Sequence, residues 1–264
     1  MTALRYKQEG KGPKLVLVHG YLGGSDMWLD QIEYFQSLYE VIAVDLPGFG
    51  NSNDIHARKS IKDIASDVLG LLTTLGIDQF ALLGHSMGGM VVQQMVAMAP
   101  TRITRLVCYG TGPVGILPGR FETIEQSRTR MLTDGVEKTG RQIAATWFVE
   151  GERHPRFELC KDLIRRVSME TALSSLQAWE DWDGRKTLSG IACDTLIIWG
   201  DRDQSYDWSQ PEALWKSIEN SQLSVLPGCA HNAHLEKPDI FNAVLADFLS
   251  AKTGQQTIRL KEKA

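Results

Sequence analysis

The sequence predicts an α/β protein: a mostly parallel central sheet flanked by helices, with a helical cap inserted between two strands. Three observations lead there. Short, continuously apolar runs alternate with segments whose apolar residues recur every three to four positions. That rhythm breaks between about Gly112 and Leu188, where only helical patterns are written. A serine flanked by glycines, Gly84-His85-Ser86-Met87-Gly88, sits where an apolar run gives way to a helical one.

The first strong strand is Leu15-Val16-Leu17-Val18, bounded by Gly12-Pro13 and Gly20. An uninterrupted apolar run of this length reads as a strand buried on both faces. Val41–Val44, Phe80–Leu83, Leu106–Tyr109, Thr195–Trp199 and Leu223–Leu226 repeat the pattern. Between them, Ser60 to Leu75 carries a stripe of Ile61, Ile64, Ala65, Val68, Leu71, Leu72 and Leu75, the period of an amphipathic helix. Met90–Met98 is a second helix, stopped by Pro100. Pro211–Ile218 and Pro238–Leu249 each open on a proline, whose missing N–H costs nothing in a first turn. The interrupting block reads as helices around Phe121–Leu132, Val136–Phe148, Arg156–Val167 and Met169–Trp182. The expected organisation is a core of residues 1–111 and 189–264 and a cap of residues 112–188. The polar, basic tail Lys252–Ala264 is expected to be frayed.

Composition excludes several kinds of function. The 264 residues carry 28 Lys+Arg against 32 Asp+Glu, a net charge of −4, which argues against a nucleic-acid or polybasic membrane binder. No apolar run approaches the ~18 residues of a membrane span. The first residues lack the apolar stretch of a signal peptide. Cys108, Cys160, Cys193 and Cys229 form no C-x-x-C pair, so they read as reduced thiols in a cytoplasmic protein.

The chemistry concentrates at Ser86. A sharp strand-to-helix turn forces its central residue into a strained backbone, and glycines two before and two after remove colliding Cβ atoms. The hydroxyl then stands above the sheet edge beside a helix N-terminus able to stabilise an oxyanion. A serine needs a base, and the base an orienting partner. Of six histidines, His19 and His85 read as structural, and His56 and His154 sit in polar, loop-like segments. His231 and His234 remain after the last strand. A metal site there is a weak reading, because two ligands at i, i+3 have no carboxylate cluster with them. Asp201, Asp203 and Asp207 are the available acids beyond Thr195–Trp199. Asp45-Leu46-Pro47-Gly48 lacks a P-loop lysine and reads as a structural turn.

With His19-Gly20, Asp45-Leu46-Pro47-Gly48-Phe49-Gly50-Asn51-Ser52, Gly84-His85-Ser86-Met87-Gly88-Gly89, Trp199-Gly200-Asp201-Arg202-Asp203 and Gly228-Cys229-Ala230-His231 in this order, the chain resembles the α/β-hydrolase superfamily over nearly its whole length. The resemblance implies the α/β-hydrolase fold and a triad of Ser86, Asp203 and His231. It implies an oxyanion hole from the backbone N–H groups of Met87 and Tyr21, with Leu22 the second choice. Leu22, Trp147, Phe148, Trp179 and His234 are the expected pocket residues, and the aromatics favour an apolar pocket. The implied activity is hydrolysis of a small carboxylic ester or lactone, with no cofactor, no metal and no partner beyond the small-molecule substrate. The cap and the C-terminal motif are similar to 3-oxoadipate enol-lactonases and to carboxylesterases. Meta-cleavage-product hydrolases, which cut C–C bonds, are an alternative, although their usual glycine- and proline-rich oxyanion loop is replaced by Tyr21-Leu22-Gly23-Gly24. A cofactor-free perhydrolase and a ligand-binding relative without catalysis share the same expected triad.

Overall fold

The computed structural model describes residues 3–251; the tail reading for Lys252–Ala264 lies outside them. The strands are β1 (Tyr6–Glu9), β2 (Lys14–Val18), β3 (Glu40–Val44), β4 (Phe80–His85), β5 (Ile103–Tyr109), β6 (Asp194–Gly200) and β7 (Ser221–Leu226). They form one sheet in the order β1-β3-β2-β4-β5-β6-β7. All neighbours are parallel except the edge pair β1–β3.

The apolar runs are continuous because both faces of the sheet are covered. Val16, Val18, Ile42, Val44 and Leu82 point into one hydrophobic layer. Their neighbours Leu15, Leu17, Val41, Ala43, Ala81 and Leu83 point into the other. The covering helices outside the interrupting block are α1 (Leu29–Phe35), α2 (Ile61–Thr74), α3 (Met87–Met98), α8 (Ser209–Ser217), α9 (Ala233–Glu236) and α10 (Pro238–Ser250). Ser60 caps α2 by accepting the Asp63 N–H at 3.1 Å.

Between β5 and β6 lie α4 (Ile124–Asp134), α5 (Val136–Ala145), α6 (Phe157–Ile164) and α7 (Met169–Glu180). Thr123 and Gln126 close α4 with a reciprocal capping box. The chain entering and leaving this block is stitched together at its foot. Val114 pairs antiparallel with Asp183, the Gly115 N–H donates to the Trp182 carbonyl at 2.9 Å, and the Gly184 N–H donates to the Pro113 carbonyl at 2.8 Å. No helix among the described residues is long and apolar enough to cross a membrane.

Three elements escape a reading by pattern, the short α9 among them. β1 has four polar or aromatic residues and no fully buried side chain, so it carries no apolar signal. α1 spans seven residues, with Leu29 and Tyr34 exposed on it. Two boundaries also move. β4 runs on to His85, and α3 starts at Met87 rather than Met90, its first turn hidden in sequence by Gly88 and Gly89.

Candidate active site

Ser86 joins β4 to α3 with φ 56° and ψ −123°. Only one other non-glycine residue among those described has a positive φ, Leu22 at 59°. Such strain persists where surrounding structure over-determines it, often at functional sites. Here the surroundings are identifiable. The Ser86 N–H donates to the Tyr109 carbonyl at 2.9 Å, and the Ser86 carbonyl accepts from the Gly89 N–H and the Thr111 hydroxyl, both at 2.8 Å. A Cβ at Gly88 would strike the carbonyls of Val18 and His19, and one at Gly84 would strike the Gly88 carbonyl. The turn packs too tightly against β2 for any residue but glycine at these places.

Asp203 follows β6 on a turn closed by its own N–H to the Gly200 carbonyl, 3.0 Å. Its Oδ1 accepts the Ser205 and Tyr206 N–H groups at 2.7 and 3.2 Å. Its Oδ2 is 2.8 Å from His231 Nδ1, and both side chains are almost wholly buried. A proton on Nδ1 leaves Nε2 as the acceptor of the ring. Ser86 and His231 line the same cavity. No hydrogen bond joins their side chains, and such contacts often tighten only with substrate in place.

The His231 loop is held from several sides. Its carbonyl accepts from His85 Nε2–H at 3.0 Å and from the Tyr109 hydroxyl at 2.8 Å. Glu236 accepts the Ala230 N–H at 2.6 Å and the Val149 N–H at 2.7 Å, and the Asn232 N–H donates to the Trp147 carbonyl at 2.9 Å. The end of α5 and the base loop are therefore one hydrogen-bonded unit. The His231 ring lies nearly parallel to Tyr206 (11°), with centroids 5.5 Å apart.

The other histidines divide by partner. His19 donates from Nδ1 to the Gly20 carbonyl at 2.7 Å and accepts the Leu46 N–H on Nε2 at 3.0 Å. Burial lowers its pKa, against the pull of Asp45. Burial holds His85 well below the usual imidazole range, with His231 adding to the effect. Asp45 accepts the Ser25 N–H and hydroxyl at 2.6 and 3.0 Å and the Asn51 side-chain amide at 3.1 Å, a structural turn. Asp201 accepts the Gly228 N–H at 2.6 Å.

The cavity is lined by Tyr21, Ser86, Arg120, Ile143, Trp147, Trp179, Ser205 and His231. Three expected wall residues lie elsewhere. His234 follows His231 closely in sequence, but α9 turns it beneath the base loop, 4.7 Å from the Trp28 ring and hydrogen-bonded to Tyr109. Phe148 faces His154 and Phe157. Leu22 is fully buried and abuts α5 near Gly140. The wall is also not purely apolar, because Arg120 belongs to it. No motif marks Arg120 or Ile143, whereas Ser205 and Tyr206 could have been suspected from their closeness to Asp203.

For the oxyanion hole, Met87 is the first residue of α3, so its N–H belongs to the helix's unpaired first turn. Gly20 abuts Ser86: a methyl added there would come within 2.7 Å of Ser86 Cβ. The neighbouring Tyr21 backbone is thereby close to the nucleophile turn. Among the described residues no group of three or more His, Cys, Asp or Glu is arranged to hold a metal ion.

The sheet order and the Ser86 turn define a class of protein, and comparison agrees. A model of the alpha/beta hydrolase fold matches residues 13–238, and the chain belongs to that family. It is 31% identical to the 2-hydroxy-6-oxononadienedioate/2-hydroxy-6-oxononatrienedioate hydrolase of Paraburkholderia phymatum, covering 94% of this chain and 92% of that one. It is 28% identical to the 2-hydroxy-6-oxo-6-phenylhexa-2,4-dienoate hydrolase of Comamonas testosteroni, covering 93% and 91%. The crystal structure of the enol-lactonase from Burkholderia xenovorans LB400 superposes with a TM-score of 0.86 at 25% identity, covering 94% and 96%. The protein is a hydrolase of this family.

Proposed function

We propose that the protein is a serine hydrolase of small carboxylic esters or lactones, acting through an acyl-enzyme. The observation that carries this reading is the buried 2.8 Å Asp203–His231 hydrogen bond at a cavity shared with the strained Ser86. In the first half-reaction His231 Nε2 takes the Ser86 proton as Oγ adds to the carbonyl carbon. The oxyanion so formed meets the Met87 and Tyr21 N–H groups. Collapse expels the alkoxide, which takes the proton from His231. Water repeats the steps on the acyl-enzyme and releases the acid. Asp203 fixes the ring tautomer and offsets the imidazolium charge. Residues 112–188 act as the cap that excludes water and selects the acyl group.

A second reading, C–C hydrolysis of a vinylogous diketone, is favoured by the named activities of the two sequence relatives. Against it stands the loop Tyr21-Leu22-Gly23-Gly24. A panel of aryl esters from acetate to palmitate, with several lactones and one vinylogous diketone, separates the two. The expected result is highest kcat/KM on a short ester or a lactone of similar size. Cleavage of the diketone alone, or peak activity on palmitate, would reject the ester reading.

A further inference from the structure

Arg120 is out of keeping with an apolar wall. It lies at the foot of the helical block, in a segment pinned to the acid loop by the Phe121 N–H, which donates to the Gln204 carbonyl at 3.0 Å. Arg120 lines the cavity shared with Ser86 and His231. It is largely buried, and burial lowers its pKa. Yet among the described residues no carboxylate forms an ion pair with it. Glu122, the nearest acid in sequence, is taken by Arg130 and by the Ser127 hydroxyl. Arg120 itself gives one nitrogen, Nη1, to the Glu122 carbonyl at 2.6 Å and to Ser127 Oγ at 3.1 Å.

Two rings also pack against it. The guanidinium carbon lies 4.4 Å from the Phe121 ring centroid and 5.3 Å from that of Trp179. Trp179 stacks on Tyr206 at 6.1 Å, and Tyr206 on His231. Two buried donors along this stack find no acceptor in the protein: Arg120 Nε and Trp179 Nε1. Glu122 offsets part of the burial of Arg120 without pairing with it, and a desolvated cation with no ion-pair partner is costly, to which unmatched buried donors add. An anionic ligand with several acceptor oxygens removes both penalties, and a planar guanidinium fits a carboxylate best.

We propose that Arg120 is the anion-binding residue of this site, and that the substrate carries a carboxylate remote from the bond that Ser86 attacks. This deepens the serine-hydrolase reading and rests on it. The acyl chain then lies along the Trp179 ring, its carboxylate at Arg120 and its carbonyl at Ser86. Selectivity comes from the cost of leaving Arg120 unpaired, which a neutral substrate cannot relieve.

The test compares two aryl esters of equal acyl length, mono-4-nitrophenyl glutarate and 4-nitrophenyl pentanoate, in wild type, Arg120→Gln and Arg120→Lys. Wild type should prefer the anionic ester at least tenfold in kcat/KM. Arg120→Gln should cut that preference tenfold or more, chiefly through KM, and Arg120→Lys should restore part of it. Equal rates on the two esters in wild type, or an unchanged preference in Arg120→Gln, would overturn the inference and leave the serine-hydrolase reading standing. Cleavage of neither ester, with Ser86 unlabelled by a phosphonate, would reject that reading instead. Glutarate binding measured by calorimetry then decides the anion site alone. Saturable binding to wild type that is lost in Arg120→Gln supports it, and no binding to wild type overturns it. If Arg120→Gln does not fold, the wild-type preference and wild-type glutarate binding decide the matter: both present support the anion site, and the absence of either overturns it.

Discussion

Around Ser86 three histidines are kept neutral by burial, and each has a hydrogen bond that suits the neutral ring. His234 is the clearest. The Tyr109 hydroxyl spends its proton on the His231 carbonyl, so it accepts from His234 Nδ1–H at 3.1 Å and from the His234 N–H at 3.2 Å. The other ring nitrogen, Nε2, has no partner in the protein, and burial, helped by His231, pushes the pKa down to about 3. His19 and His85 shift in the same direction. Unfolded, these rings titrate near ~6.5. Below that pH the unfolded chain binds protons that the folded one refuses, so stability is full above about pH 6.5 and falls as pH drops toward the folded values. For each such histidine the loss approaches ~1.4 kcal/mol per pH unit. Urea melts of wild type and His234→Gln between pH 7.5 and 5 check this: the variant should lose stability less steeply. Parallel curves would mean that His234 is not held neutral by the fold. Sequence pointed to the pair of histidines after the last strand and left His234 as either a pocket wall or a support behind the base; the structure puts it behind the base, on Tyr109. Three positions of separation say nothing of direction until the short α9 is known.

At the scale of elements, the inner strands were legible because burial on both faces writes an unbroken apolar run, whereas the edge strand β7 is half exposed and its run is broken by Ser224. The Ser86 turn was legible because its glycines are sterically required. β1 and the start of α3 were not, since an exposed edge and a glycine-rich first turn carry no periodic signal. The wall residues were legible only in part. Trp147 and Trp179 lie at the ends of α5 and α7, where they reach the cavity, while Phe148, one residue on, faces away from it. Such alternation depends on how the helices sit over the sheet, which no local pattern records. If these indoles hold the acyl chain, Trp147→Phe and Trp179→Phe should reorder preference among acetate, butyrate and hexanoate esters while affecting the acetate ester least. A uniform fall across chain lengths in steady-state kcat/KM would show that the two rings do not select the acyl group. Phenylalanine keeps most of the buried area, whereas alanine risks about 3–5 kcal/mol of stability at either place.

The whole molecule explains why residues from distant parts of the chain meet. Parallel strands bring the ends of β4, β6 and β7 to one edge of the sheet, as expected for ligand sites in open α/β sheets. Ser86, Asp203 and His231 each follow one of those ends, so the candidate triad follows from topology once the strands are assigned. What topology does not supply is the substrate; the proposal places that choice in the helical block, at Arg120 and Trp179. In the proposed mechanism Ser86 owes its nucleophilicity to His231. Reaction with a fluorophosphonate, followed by intact mass and peptide mapping, addresses it without knowledge of the substrate. Wild type should gain one phosphonyl group on Ser86, Ser86→Ala none, and His231→Gln should react at least a hundredfold more slowly. Labelling of another serine, or equal reaction rates in wild type and His231→Gln, would contradict the account.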